Sequence, residues 1–337
     1  MTARQVLFVG GSGVVGREAV GWFRRRYPDV PILIGGRNLE KANELAKQTG
    51  LAEAIAVDLD KPKLGLADDV AVSAVAMFAP DDGLWGLGYA QDQGAAYINI
   101  GNGLVEVGPE VAHFAHKATA APIVLASQWS AGAAMFLALH AAGELDQVQA
   151  INIGVLLDEE DPAGPLSYED MERTHEMAAS TLVFENGRRT WISGDAAKGI
   201  VHAIDGRRLD ADAYAPFDII NLHAATQAPN IRFDLVTDTS SSRRRGEEAA
   251  AEIVADAEGT RDGQPTQVRA TLELKYGQAS LTGLSVALSL GAVLGLDDAA
   301  PAAPGLYFPE LLYQPDRFVD ALRQVGAVIE REQPKTS

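Results

Sequence analysis

From residue 5 to about residue 126, short apolar runs alternate with stretches whose hydrophobic side chains recur at helical spacing. Gln5–Val9 is the first run, continuously apolar after its opening residue, as a central parallel strand buried on both faces must be. Pro31–Ile34, Ala54–Val57, Val70–Phe78, Ala96–Ile100 and Pro122–Ala126 have the same character. Between them lie helical patterns over Val14–Arg26, from Leu39 through Ala46, up to about Gln93, and over Val107–Lys117. Asn38 stands where the second helix needs its N-cap, and Asp81 or Asp82 opens the third. Strands alternating with helices in this way predict an α/β fold with a doubly wound parallel sheet.

The pattern then changes. Val148–Leu157 alternates through Ile151, Ile153 and Val155, as a half-buried strand does. Thr181–Glu185 and Arg189–Ile192 flank Asn186-Gly187, a two-residue hairpin signal. Lys198–Ile204, Asn230–Val236 and Gln267–Tyr276 read as further strands, and Leu281–Leu296 as a buried helix too short to span a membrane. Strand runs with few crossover helices predict a second, α+β domain with a mostly antiparallel sheet. Asp297–Pro304 is a linker by composition.

The turn after the first strand carries the chemistry. Gly11-Ser12-Gly13-Val14-Val15-Gly16 is G-x-G-x-x-G, between a strand and a helix. The first glycine permits a tight turn, the second lets backbone approach a pyrophosphate, and the third allows close helix–strand packing, with the anion on the helix N-terminus. A dehydrogenase that prefers NAD places a carboxylate at the tip of the second strand. Here the tip reads Ile34-Gly35-Gly36-Arg37-Asn38. Arg37 can pair bidentately with a 2′-phosphate and Asn38 can add a neutral donor, so NADP is expected ahead of NAD. Asp58, after the third strand, either accepts from the adenine amine or caps a turn.

Composition narrows the partners. The 337 residues hold 28 Lys and Arg against 46 Asp and Glu, a net charge of −18, which repels nucleic acid and anionic lipid. There is no cysteine, so thiolate chemistry, disulfides and iron–sulfur clusters are closed. The N-terminus enters its first strand without a signal-like segment, and a cytoplasmic protein is expected. No spacing of His, Asp and Glu suits a metal, and none is expected.

Taken together, Val9-Gly10-Gly11-Ser12-Gly13-Val14-Val15-Gly16, Gly36-Arg37-Asn38 and Val57-Asp58-Leu59-Asp60 resemble the saccharopine dehydrogenase-like (saccharopine reductase) family of NAD(P)-dependent oxidoreductases. Phe78-Ala79-Pro80, Tyr97-Ile98-Asn99 and the tail Pro304-Gly305-Leu306-Tyr307-Phe308-Pro309-Glu310 add to the likeness. The resemblance implies a dinucleotide-binding Rossmann domain over residues 1–130 and a substrate and dimerisation domain over 131–300. It also implies a segment, 301–337, that returns to the first domain. Leu59, Ala79 and Pro80 become further cofactor contacts, a homodimer through the substrate domain is implied, and the reaction is hydride transfer between NADP(H) and a C=N or C=O bond of a small polar, amino-acid- or imine-like substrate. The chain departs from the family where members often carry an acid at the position of Asn99, and a Pro-Gly pair at Ala131-Gly132. An alternative is a sensor or scaffold that binds NADP without turnover.

A proton donor or acceptor is needed beside the hydride. The Tyr-x-x-x-Lys arrangement of short-chain reductases is absent: none of the eight tyrosines has Lys four positions on. His223, among polar neighbours, and Lys198, on one strand face with His202, are the catalytic candidates, with Gln128 beyond the sixth strand. Gln128 and Ser130 contact nicotinamide or substrate, or belong to a plain connector. Arg243 and Arg244, in the one dense basic cluster of the second half, bind a substrate carboxylate, or form a helix start neutralised by Glu247 and Glu248.

Overall fold

The computed structural model describes residues 4–101, 103–104, 106–161, 180–297, 299–332 and 335–336. These fall into two compact units, one built from the chain up to Ser127 and from Thr282–Tyr313, the other from Gln128 to Leu281 and from Gln314 onward.

In the first unit, β1 (Gln5–Val9), β2 (Ile32–Gly36), β3 (Ala52–Ala56), β4 (Val72–Met77), β5 (Ala96–Asn99) and β6 (Pro122–Leu125) alternate with α1 (Val14–Arg26), α2 (Leu39–Thr49), α3 (Trp85–Gln93) and α4 (Gly108–His116). Every strand pair is parallel, and Gly305–Tyr307 adds to β6, giving the order Gly305–Tyr307, β6, β5, β4, β1, β2, β3 among the described residues. Strand order reverses between β1 and β4, where the crevice of such a sheet opens at the carboxyl ends. Val6–Phe8, Val75, Ala76, Ile98 and Ile123 are fully buried, which explains the unbroken apolar runs.

Local chemistry set the boundaries where it was strongest. Asn38 caps α2, its side-chain oxygen accepting from Lys41 N at 3.1 Å. Asn38→Ala should cost about 1 kcal/mol, a fall of a few degrees in thermal unfolding read by circular dichroism.

The second unit holds α5 (Ala133–Ala142) and β7 (Gln147–Asp158), β8 (Thr181–Glu185), β9 (Arg188–Ile192), β10 (Lys198–His202), β11 (Arg208–Ala213), β12 (Asn230–Asp238), β13 (Ala250–Arg261) and β14 (Gln264–Lys275). Its sheet runs β10, β11, β12, β7, β13, β14, then Val328–Arg331. Only β12 and β7 pair in parallel among the described strands of this sheet; the other pairs are antiparallel. Asn186 and Gly187 take φ of +52° and +75° and join β8 to β9 as the hairpin turn expected of them.

The structure adds one strand and corrects two expectations. Ala250–Arg261, whose alanines and acids do not read as a strand, is the central partner of both β7 and β14. Asp297–Pro304 is not a loose linker at its start: Asp297 accepts from Tyr27 and Tyr313 hydroxyls and pairs with Arg26 at 3.0 Å. Burial first, and Asp297 second, push the Tyr27 phenol far above its ordinary pKa. The tail 301–337 divides. Gly305–Tyr307 joins the parallel sheet, but helix Pro315–Gln324 buries Phe318, Val319, Ala321 and Leu322 in the second unit, with Phe318 stacked on Phe136 of α5 at 3.9 Å. Val328–Arg331 then pairs with β14. The apolar stripe of that helix needs a helical partner, and α5 is apolar on all sides.

The helix Gly277–Leu294 starts earlier than its apolar run suggests, because the carboxylate of Asp161 accepts from Gln278 N at 2.7 Å. By length and composition it could cross a membrane, but most of it is buried in the structure.

Candidate functional site

The glycine turn has the shape of an anion cradle. Gly10 takes φ +77° and donates to Gly35 O at 2.8 Å, so the left-handed residue of the turn is Gly10 rather than Gly11. Gly11 is needed for packing instead: a Cβ there would stand 2.9 Å from Phe8 Cβ and O. At Gly16 a Cβ would lie 2.3 Å from Gly10 O and 2.7 Å from Gly11 Cα, which brings α1 directly against the turn. Gly13 differs. A Cβ on it would meet only Gly10 O, at 3.1 Å, so its outer side is open. No side chain caps α1 at Gly13. Exposed Gly13 and Val14, with half-buried Ser12 and Val15, therefore surround uncapped N–H groups that a pyrophosphate can meet. The residues present fit that group.

At the tip of β2, a Cβ on Gly36 would lie 3.7 Å from Ser12 Oγ, so the serine hydroxyl stands beside the end of the strand. Arg37 follows, exposed and without an ion pair or hydrogen bond to any described residue. Asn38 spends its side-chain oxygen on the helix cap. Asp58 resolves toward the turn. Its Oδ1 accepts from Asp60 N at 3.1 Å and its Oδ2 pairs with Lys61 at 2.9 Å. These contacts, Lys61 first, hold its carboxyl below the usual range. Leu59 packs against the core beneath the sheet. Ala79 and Pro80 lie half-buried beyond β4, where Phe78 N donates to Val9 O at 2.9 Å. Gly11, Ser12, Gly13, Val14, Val15, Gly16 and Arg37 thus all follow the carboxyl ends of the neighbouring strands β1 and β2 in the first unit.

The remaining candidates belong to the second unit. Gln128 and Ser130 are buried, at 4% and 5% exposure, on either side of Trp129. Trp129 N donates to Asp218 Oδ2 at 2.7 Å, while Ser130 and Ala131 take φ of +51° and +52° ahead of Gly132 at +106°. Three left-handed residues in a row form a strained lead-in to α5, and the Asp218 carboxylate pins it. Asp218, wholly buried, was invisible to sequence reasoning because nothing in Phe217-Asp218-Ile219 marks it as more than a helix start.

His223 sits in the last turn of helix Asp218–Thr226, its ring stacked on Phe184 at 3.9 Å and its Nδ1 at 3.0 Å from Ala228 O. Lys198 is exposed on β10 and pairs with Asp212 at 2.7 Å, a contact that raises its pKa and so works against proton exchange near neutrality. His223 and Lys198 are thus committed to separate partners. The guanidinium of Arg243 is committed to Asp158 at 2.7 Å and Glu160 at 3.1 Å, and that of Arg244 to Asp205 at 3.2 Å. Arg245 pairs with Glu247, at 3.4 Å, and it also reaches Glu273. The cluster is neutralised in part by Glu247 of its own segment and otherwise by carboxylates from elsewhere in the unit.

No protein-family model matches the chain, and no curated protein does. Among solved structures it is similar to an apo, histidine-tagged saccharopine dehydrogenase (L-Glu forming) from Saccharomyces cerevisiae, with a TM-score of 0.66 and 14% identity over 98% of this chain and 100% of that one. It is also similar to an oxidoreductase from Agrobacterium radiobacter in complex with NAD+, L-tartaric acid and magnesium, with a TM-score of 0.51 and 10% identity over 97% of this chain and 98% of that one. These likenesses are of fold: the Rossmann-type sheet and a second, mixed sheet follow one layout.

Proposed function

We propose that the chain is an NAD(P)-dependent oxidoreductase that prefers NADP. It would move hydride between the cofactor and a C=N/C–N or C=O/C–OH bond of a small polar substrate. The observation that carries the cofactor preference is Arg37, an unpaired cation at the tip of β2 with the Ser12 hydroxyl beside the preceding glycine and no carboxylate there. A 2′-phosphate is met by charge at that tip, whereas the hydroxyl of NAD offers nothing for the guanidinium to neutralise. The nicotinamide, when bound, supplies the hydride; the chain binds and orients it through Gly11–Gly16 and Arg37. The saccharopine dehydrogenase likeness in fold supports an amino-acid- or imine-like substrate.

A second reading, dinucleotide binding without turnover, draws on the commitment of His223 and Lys198 to a ring stack and an ion pair. Titration with NADPH and NADH, followed by amine plus keto-acid pairs scored by loss of nicotinamide absorbance, separates the two. Arg37→Ala should weaken NADPH by about 10- to 100-fold, the size of a lost charge-assisted pair, and leave NADH within about twofold. An unchanged NADPH/NADH ratio would overturn the 2′-phosphate assignment.

A further inference from the structure

The backbone that leaves β4 and β5 is held by buried polar side chains that neither the glycine motif nor Arg37 accounts for. Asp81, 2% exposed, accepts from Gly86 N at 3.1 Å, Leu87 N at 3.0 Å and the Tyr97 hydroxyl at 3.0 Å. Asn99, 1% exposed, accepts from Gly101 N at 2.8 Å and donates its Nδ2 to Glu110 Oε1 at 2.8 Å. Glu110 is itself 1% exposed. Tyr97 stands between the two carboxyl groups: burial first, then Asp81 and Glu110, push its phenol well above its ordinary pKa.

Burying two carboxyl groups at the ends of a parallel sheet is costly unless each is hydrogen-bonded, and apolar side chains would fill the same space at less cost. What these groups accomplish is specific in place. Asp81 accepts from the N–H groups of Gly86 and Leu87, and Asn99, which donates to Glu110, accepts from that of Gly101, so a backbone donor beyond the carboxyl end of each of β4 and β5 is held. The segment beyond β4 is tightly packed, since a Cβ on Gly86 would stand 2.9 Å from both Asp81 Oδ2 and Met77 Sδ. In this strand order a dinucleotide with its pyrophosphate on α1 and its adenosine toward β2 carries its nicotinamide toward β4 and β5.

We propose that Asp81 and Glu110 are positioning residues for the nicotinamide half of the cofactor: Asp81, braced by the Tyr97 hydroxyl, holds the backbone beyond β4 directly, and Glu110 acts through Asn99 on the backbone beyond β5. The proposal rests on the dinucleotide reading above. Neither carboxyl group touches the cofactor. Asn99, at the position where members of the resembled family often carry an acid, is an amide that donates to Glu110, so acid and amide form a matched pair across β5 and α4.

The test compares binding of NADPH with that of 2′-phospho-ADP-ribose, which lacks nicotinamide, alongside thermal unfolding of the full chain. Asn99→Asp sets two buried carboxyl groups against each other and should weaken NADPH by about tenfold or more. The exchange Asn99→Asp with Glu110→Gln rebuilds the donor–acceptor pair in reverse and should return NADPH affinity to within about threefold of the parent. Tyr97→Phe, which removes a single hydroxyl, should weaken NADPH about three- to tenfold with little change in Tm. In all three, 2′-phospho-ADP-ribose should bind as it does to the parent. The proposal is overturned if both ligands weaken together, if the exchange is no better than Asn99→Asp alone, or if Tm falls while NADPH affinity holds. Should the parent bind neither NADPH nor NADH, the dinucleotide reading itself fails, a result distinct from all of these.

Discussion

Gly16→Ala is expected to abolish dinucleotide binding and to destabilise the first unit, whereas Gly13→Ala should impair binding with the fold intact. A methyl at residue 16 would meet Gly10 O at 2.3 Å and Gly11 Cα at 2.7 Å, and both are backbone atoms that cannot rotate away. Helix α1 must then move off β1, at a cost of about 1–3 kcal/mol for overpacking, and the N–H groups at its start move with it. A loss of NADPH affinity of about 100-fold or more accompanies a helix displaced by a fraction of an ångström from a charge it must meet head-on. At Gly13 the φ of −73° suits alanine, and the methyl meets one atom at 3.1 Å. Its Tm should fall by only a few degrees, while the methyl occupies the side from which a pyrophosphate approaches. Fluorescence titration with NADPH beside thermal unfolding separates the pair. If Gly13→Ala and Gly16→Ala both bound NADPH with parental affinity, the cradle would not be the pyrophosphate site.

Arg243→Ala should lower Tm by a few degrees, because it removes the cation that meets the Asp158 carboxylate and leaves only neutral donors to it. The Asp158 side chain is wholly buried, and Arg243 is the cation that meets it, at 2.7 Å. Asp158 also accepts from Ser240 N at 2.7 Å and Glu160 N at 2.8 Å, and thereby holds the turn whose serines, Ser240, Ser241 and Ser242, are themselves fully buried. Burial pushes the Asp158 carboxyl up, but these donors and Arg243 outweigh it and hold it below its ordinary value. The sign of the pH effect follows. A carboxyl with a depressed folded pKa stabilises the protein above its unfolded value, about 3.9, and that contribution is lost as pH falls through the lower folded value. The parent should therefore lose this share of stability only in strong acid. Arg243→Ala should lose its remaining share at higher pH, because one of the groups depressing the pKa is gone. Urea unfolding across pH 3–7 measures both; a variant as stable as the parent at pH 7 would contradict the assignment.

What the sequence displayed was chemistry that acts locally. Asn38 caps the helix that follows it, Asn186-Gly187 closes the hairpin around it, and the glycine turn joins a strand to a helix within a dozen residues. Each follows from a steric or hydrogen-bonding need of adjacent residues, so each can be read without a neighbour in space. Ala250–Arg261 could not. Its alanines and acids favour helix or loop, and it becomes a strand because β7 and β14 satisfy its backbone on both edges. Asp81, Glu110, Asp158 and Asp218 were hidden for the same reason. An acidic side chain is exposed by default, and only the tertiary arrangement supplies the N–H and O–H donors that make its burial tolerable. The reading of Arg243 and Arg244 as ligands for a substrate carboxylate shows the converse. A basic cluster names the charge it wants, but not whether that charge arrives from solvent or from the chain itself.

The parallel sheet of the first unit closes late in synthesis. Residues Gly305–Tyr307 pair with Pro122–Val124, separated from them by the whole second-unit insertion. At ribosomal speeds of about 5–20 residues per second, the outer edge of β6 waits roughly 10–40 s for its partner to emerge. During that interval it presents unpaired N–H and C=O groups beside a fully apolar strand, the template for pairing with another chain. A nascent chain built in this order carries an open, apolar sheet edge until Gly305–Tyr307 emerges.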